Sequence, residues 1–407
     1  MDSVSTTLFA SLKTRRDDMI QLLHSLCSVN SGTMNLDGLA RTHALLAQAF
    51  EPIADQQDSI TLPPFSTMNM NGDLTLQHTG QALLIRKRPE LERRVLLAGH
   101  MDTVFSLHNP FQQLTYLNDN TINGPGVADM KGGLIVMLHA LQAFESCPSA
   151  ASLGWDVLIN ADEEIGSSAS SALFDELAPR CQAALVYEPA MDIEGTFAKN
   201  RKGSGKLTLV ATGKAAHAGR AFHEGRNAIS YLAEVICRVH ALNGQREGVT
   251  INVGLVAGGD ALNVVPDTAV AKLDIRIGLP ADEAWVMENL QGIRNELERE
   301  GYNLSIHGGF GRPVKRVCTG TTRLFQRIRF LSEQLGLPCD WKDSGGCCDG
   351  NNLARLGLPV IDTLGVRGGN IHSDKEFILL DSLVERATLS ALLLNDLAEG
   401  GLEELTS

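Results

Sequence analysis

The segment Arg94-Val-Leu-Leu-Ala-Gly-His100-Met-Asp102 decides how the rest of the chain is read. The run ending at Gly99 is apolar and too short for a helix. It predicts a strand buried on both faces, with polar residues at its exit. Two further apolar runs repeat the pattern. Trp155-Asp-Val-Leu-Ile-Asn-Ala161 leads into Asp162-Glu163-Glu164, and Ala183-Ala-Leu-Val-Tyr187 leads into Glu188. Between and around them lie helical patterns. Thr6 to Cys27 carries Leu8, Leu12, Met19, Leu22, Leu23 and Leu26 at helical spacing, and Gly38 to Phe50 and Asp129 to Phe144 predict two more helices. Buried strands alternating with helices predict an α/β fold around a mainly parallel, mixed sheet.

The texture changes near Lys202. Lys206 to Ala211, Thr250 to Val256 and Thr268 to Ile277 alternate apolar and polar residues, which predicts antiparallel strands with one wet face. Helical patterns at Arg226 to Leu242 and Asp282 to Glu298 accompany them. Together they make an α+β unit of roughly 110 residues. After Pro313 the first texture returns, with a helix near Thr321 to Leu335, a strand at Pro359 to Leu364 and a helix from Asp381. The expected organisation is one large domain, 1–201 plus 313–407, carrying an inserted domain at 202–312.

The 407 residues include 35 basic and 48 acidic side chains, a formal charge of −13. Such an acidic chain is poorly suited to phosphate backbones, so no nucleic-acid partner is expected. No run reaches about 18 uninterrupted apolar residues, and Met1 to Arg16 lacks the apolar core of a signal peptide, so neither a membrane span nor export is expected. The eight cysteines fit no structural zinc spacing and point to free thiols in a reducing cytoplasm.

The chemically loaded residues all follow predicted strands, where open α/β sheets bind their ligands. They are His100 with Asp102 two residues on, Asp129 within Gly124-Pro-Gly-Val-Ala-Asp-Met-Lys-Gly-Gly133, the acids 162–164, Glu188, and His372 within Gly369-Asn-Ile-His-Ser-Asp374. Each alone has an ordinary explanation, such as a helix cap for Asp129 or a solvated loop for the three acids. Jointly they form a mixed imidazole and carboxylate set suited to zinc, with an acid to spare for proton transfer. The chain has no HExxH helix, no complete phosphate-binding loop and no G-x-S-x-G elbow.

The order His100-x-Asp102, Asp129, Glu163-Glu164, Glu188, His372 resembles the co-catalytic dizinc family. That family includes bacterial glutamate carboxypeptidase, aminoacylase, acetylornithine deacetylase and succinyl-diaminopimelate desuccinylase. The resemblance runs from Ser28 to Lys375 and includes Gly213-Lys-Ala-Ala-His217-Ala-Gly219 and Gly258-Gly-Asp-Ala-Leu-Asn263 in the insert. Glutamate carboxypeptidase looks nearest, from Glu188, Gly311-Arg312-Pro313 and the stretch around His372.

The resemblance implies a zinc-exopeptidase-like catalytic domain with an inserted dimerisation or lid domain. It implies two Zn2+ per subunit, with Co2+ or Mn2+ as substitutes. Asp129 would bridge the ions, His100 and Glu188 would hold one, and Glu164 and His372 the other. Asp102 would orient His100, Glu163 would be the general base, and the Asp129–Met130 peptide would be cis. His217 and Asn263 would reach a partner subunit's site in a homodimer. Arg276 and Arg312 would hold a substrate carboxylate, and Arg201 or Lys202 resembles a basic pair used similarly in some deacylases. The implied activity is hydrolysis of an amide beside a free carboxylate, by a carboxypeptidase or alternatively by an N-acyl-amino-acid deacylase of the acetylornithine or desuccinylase type. Cys347-Cys348 stands where the family has a Thr or Ser before the Asp, removing hydroxyls from the substrate loop.

Overall fold

A computed structural model describes residues 3–405. Residues 1–2 and 406–407, assigned above to the ends of the large domain, lie outside the described residues. Six strands form the main sheet in the order Gln56–Ile60, Ala82–Lys87, Gly154–Asn160, Arg94–His100, Ala183–Val186, Val360–Ile361. The first two pairings are antiparallel and the last three parallel.

The unbroken apolar runs have a simple cause. Leu83, Ile85, Val95, Leu97, Val157 and Ile159 face one core. Leu84, Leu96, Ala98, Leu158 and Val186 face another on the opposite side. Both faces are covered, so neither needs polar residues. The helix Gly132–Phe144 is buried along nearly its whole length, between the sheet and the helix Asp381–Asp396. A Cβ on Gly133 would meet the Tyr187 carbonyl oxygen at 1.9 Å, so only glycine allows this approach.

The structure adjusts several expected elements. The first long helix is two, Ser3–Thr14 and Arg16–Cys27, and the bend at Arg15 keeps Leu8, Leu12, Met19, Leu23 and Leu26 on one core. The helix expected from Asp129 starts at Gly132. Asp129 itself lies in a wider turn, Val127–Lys131, with non-helical φ −114° and ψ 93°, and it caps nothing. The Asp129–Met130 peptide is cis. The strand expected at Pro359 to Leu364 is reduced to Val360–Ile361, the edge of the sheet.

A second sheet, Thr250–Gly258, Thr268–Ile277, Gly203–Thr212 and Asn303–Arg312, is antiparallel throughout. Helices Ala228–His240 and Ala281–Glu296 cover one face through a core that includes Leu207, Leu209, Tyr231, Leu232, Leu273 and Ile275. On the other face, Met68 of the hairpin Phe65–Met68/Leu74–Gln77 packs against Val210 and Val270. The chain passes towards this sheet at Arg201 and back at Lys315. These two residues form an isolated antiparallel bridge, with N–H···O distances of 3.0 and 3.1 Å. Asp362, fully buried, accepts from both side chains: Arg201 Nε at 2.9 Å, Nη2 at 3.0 Å, and Lys315 Nζ at 2.6 Å.

Candidate metal centre

The strand Arg94–His100 delivers His100 to its carboxyl end, almost fully buried. The His100 Nδ1 lies 3.0 Å from the Asp102 carbonyl oxygen and 3.4 Å from its carboxylate. With Nδ1–H donating there, the Nε2 lone pair faces outward. Asp102 is itself fixed, accepting from the Thr33 hydroxyl at 2.8 Å and the N–H groups of Glu163 and Glu164 at 3.2 Å. One carboxylate thus ties the first loop, the imidazole and the acidic turn together.

Asp129 lies at the centre. Its Oδ1 is 3.1 Å from His100 Nε2, and its Oδ2 is 3.1 Å from His372 Nε2. Beside His100 stands Glu188 at 3.7 Å, and beside His372 stands Glu164 at 3.4 Å. The five expected ligands are therefore together, one imidazole and one acid on each side of a shared carboxylate. Among the described residues, two sets of potential ligand atoms lie within 4.8 Å of one another: His100 with Glu163 and Glu188, and His100 with Asp129 and Glu164.

Four carboxylates face two imidazoles here, an excess of negative charge in a buried place. Burial pushes Glu163 up to about 7 and Glu164 up to about 8, and raises Glu188 well above the usual carboxylate range. Burial acts the same way on Asp129, but the bonds to His100 and His372 overcome it and hold Asp129 below its ordinary value. Those to Asp129 and Glu164 drive His372 up to about 11. A proton on each imidazole is one way to satisfy these contacts, and a cation is the other. The cation fits a further observation: Glu164 Oε1 is buried with no hydrogen-bond partner. Nitrogen and oxygen donors on both sides of one carboxylate suit a pair of divalent ions.

The three consecutive acids have three different settings. Asp162 turns away and accepts from the Ala169 N–H at 2.7 Å and the Ser170 hydroxyl at 2.5 Å. Glu164 faces His372. Glu163 is held by Arg312 Nη2 at 2.7 Å. Arg312 also binds Asp349, which accepts from Asn160 and Ser167. At 3% exposure, Arg312 is spent on these partners rather than presented to a ligand. Arg276 is paired with Asp274 at 2.8 Å and touches the Cys347 thiol at 3.4 Å.

A cavity of about 380 Å³ adjoins the cluster, with Arg201, Ser344, Gly346 and Cys347 among the residues lining it beyond the acids. Sequence alone left Arg201 and Lys202 as alternatives. Arg201 lines this cavity, whereas Lys202 Nζ bonds the Gly248 carbonyl at 3.1 Å. Cys348 is buried and caps the helix Asp349–Arg355. His217 and Asn263 are exposed neighbours, joined by the Ala218 N–H on the Asn263 carbonyl at 2.9 Å, and neither lines the cavity.

One positioning residue escaped the sequence reading. Glu376, fully buried, accepts the N–H groups of Gly126 at 3.2 Å, Ala128 at 2.9 Å and Asp129 at 3.0 Å. It holds the turn that presents Asp129. Its one signal was an acid four positions beyond His372.

Residues 96–396 match the model of Peptidase family M20/M25/M40. The chain belongs to this family. It is a hydrolase of peptide or amide bonds of the metallopeptidase type, and the cluster around Asp129 is its candidate metal centre. It is 25% identical over 395 residues to carboxypeptidase G2 of Pseudomonas sp. (strain RS-16), covering 97% of this chain and 92% of that one. It is 31% identical over 300 residues to a putative succinyl-diaminopimelate desuccinylase of Mycobacterium tuberculosis, covering 70% and 77%. Its fold matches a dinuclear metal-binding M20 peptidase of Bacillus subtilis with a TM-score of 0.65 at 13% identity, over 95% of this chain and 99% of that one.

Proposed function

We propose that this M20 peptidase is a two-zinc hydrolase that cleaves an amide beside a free carboxylate, in the manner of a glutamate carboxypeptidase. The observation that carries the reading is the placement of His100 and His372 on the two oxygens of Asp129, with Arg201 lining the same cavity. His100, Glu188 and Asp129 would hold one ion, and Glu164, His372 and Asp129 the other. When bound there, such ions lower the pKa of a coordinated water to near 7 and polarise a carbonyl.

The chain's own groups do the rest. Glu163, kept basic in a buried setting, takes a proton at its carboxylate and returns it to the leaving amine. Arg312 fixes the direction of that carboxylate. Arg201 has Nε and Nη2 committed to Asp362, and Nη1, whose contact is a long one of 3.5 Å to the Ser344 hydroxyl, binds the carboxylate of the leaving amino acid. Residues 202–312 act as the lid that closes over the site and excludes water. His217 and Asn263 serve the site of a second copy. The edge strand Thr250–Gly258 supports such a homodimer: Leu255 and Val256 are each 57% exposed on a strand edge that nothing pairs among the described residues. Eight free thiols suit the cytoplasm.

A deacylase reading uses the same atoms, with the acyl group rather than a peptide on the far side of the amide, and the 31% relative supports it. One assay separates them. Metal-loaded protein is offered dipeptides and N-acyl amino acids ending in Glu, Asp, Leu, Arg or Gly, with a chelated control. Chelator-sensitive release of C-terminal Glu from peptides supports the carboxypeptidase, and release from simple N-acetyl amino acids alone supports the deacylase. Release that survives chelation refutes both.

A further inference from the structure

A second cavity, of about 680 Å³, lies against the cluster and is lined by Glu164 and Ile165 together with two loop tips. Glu164 lines both cavities. The loop tips carry Met34, Leu36, Val104 and Leu107, which are 55%, 44%, 42% and 56% exposed. Four large apolar side chains uncovered in one groove beside an active site are a patch that calls for a partner. Both loops are anchored to the centre. Gly32 and Thr103 form a parallel bridge, and Thr33 donates to Asp102, the residue that orients His100. The groove is therefore held in fixed register with Glu164.

Resting on the proposed amide hydrolysis, we infer that this groove receives the acyl half of the substrate, and that this half is a neutral, bulky apolar group. An amide carbonyl held beside Glu164 has two substituents, which must leave in different directions. The Arg201 cavity takes the carboxylate-bearing half. The other half meets the groove, which is continuous with the centre through Glu164. With Glu164 assigned to the metal, the acid left in its lining is Asp37, with His108 and no Lys or Arg. A second carboxylate on the acyl group, as in a succinyl chain, finds no partner there and is disfavoured by like charge. Apolar surface, by contrast, gains with every methylene covered. Met34, Leu36, Val104 and Leu107 are thereby specificity-determining residues.

The test compares kcat/KM for N-acetyl, N-butanoyl, N-hexanoyl, N-benzoyl and N-succinyl forms of the same amino acid on metal-loaded, full-length protein. In parallel, calorimetry measures binding of the same series to the Glu163→Gln protein. Each methylene is expected to raise kcat/KM about two- to fourfold until the groove is filled, with the succinyl form below the butanoyl. Leu107→Asp is expected to reduce the hexanoyl-to-acetyl ratio at least about tenfold, the loss of a few methylenes' worth of burial, and Leu107→Met to preserve it. Turnover that is flat along the series, or highest for succinyl, overturns the inference and leaves the hydrolase standing. Binding that strengthens with chain length but without any turnover upholds the groove and removes the proposed reaction. If Leu107→Asp separates a dimer in sedimentation and leaves the acyl preference intact, a second copy covers the groove and the inference fails.

Discussion

Replacing Asp362 by asparagine tests how the site is anchored. The carboxylate is fully buried and accepts three charge-assisted bonds, two from Arg201 and one from Lys315. Asparagine keeps the shape, removes the charge and turns one acceptor into a donor aimed at a cation. Two nearly buried cations, Arg201 at 8% and Lys315 at 1% exposure, then lack their anion. Breaking a buried pair in this way costs about 3–5 kcal/mol. A double cycle with Lys315→Met recovers part of it, about 1–3 kcal/mol of coupling, because the second change removes an orphaned charge. The pH dependence has a definite sign. Burial alone would raise Asp362, but Arg201 and Lys315 outweigh it and hold the carboxyl below its ordinary 3.8. Its contribution is thus present above about pH 4 and fades as pH falls through the lowered folded value. Urea unfolding of wild type and Asp362→Asn at pH 7 and in acid measures this. The expected gap is several kcal/mol at pH 7 and smaller in acid, with KM raised for free-carboxylate substrates because Arg201 is no longer aimed. A loss below about 1 kcal/mol, the scale of an exposed pair, or a gap that widens in acid, refutes the reasoning.

Three further outcomes are expected. Glu163→Gln retains its metal by elemental analysis and loses at least about 10²-fold in kcat; near-normal turnover removes Glu163 as the base. Arg312→Lys, which keeps the charge but not the fork between Glu163 and Asp349, lowers kcat roughly tenfold more than it changes KM; an effect confined to KM returns Arg312 to the role of substrate clamp. His217→Ala protein is inactive alone and regains activity when its subunits are exchanged with Glu163→Gln subunits, since one site of the mixed dimer has both groups intact; no recovery despite confirmed exchange argues against a residue acting across subunits.

The parallel part of the main sheet was legible because Arg94–His100, Gly154–Asn160 and Ala183–Val186 are buried on both faces and leave continuous apolar runs, whereas the antiparallel strands Gln56–Ile60, largely exposed and polar, and Ala82–Lys87 went unread. The candidate ligands could be picked out because each strand exit exposes few residues, so His100, the acids after Ala161, and Glu188 stood out. Contacts between distant segments were hidden. Nothing near Arg312 in sequence announces Asp349 or Glu163, so it read as a free guanidinium when it is committed on both sides. Glu376 was hidden for the same reason, since its partners are backbone N–H groups about 250 residues away. Taken alone, Asp129 fits a helix cap as well as a ligand, because nearby glycines suit both; only the company of the other four residues made it the expected bridge, and its side chain, between His100 and His372, caps no helix.

The double hydrogen bond between Arg201 and Lys315 has a consequence for how such a chain is assembled as a gene. Everything between these residues leaves and re-enters the parent fold through a single antiparallel pair, the width of an ordinary hairpin. A two-residue turn such as Asn-Gly closes such a pair. Deleting 202–314 and joining the ends in this way leaves every strand of the main sheet in place, with both cations still on Asp362. The chain connection is thus simple but the packing is not: Arg312 leaves with the deleted segment, so a shortened host also needs a new partner for Glu163 and Asp349, and a cover for Met68.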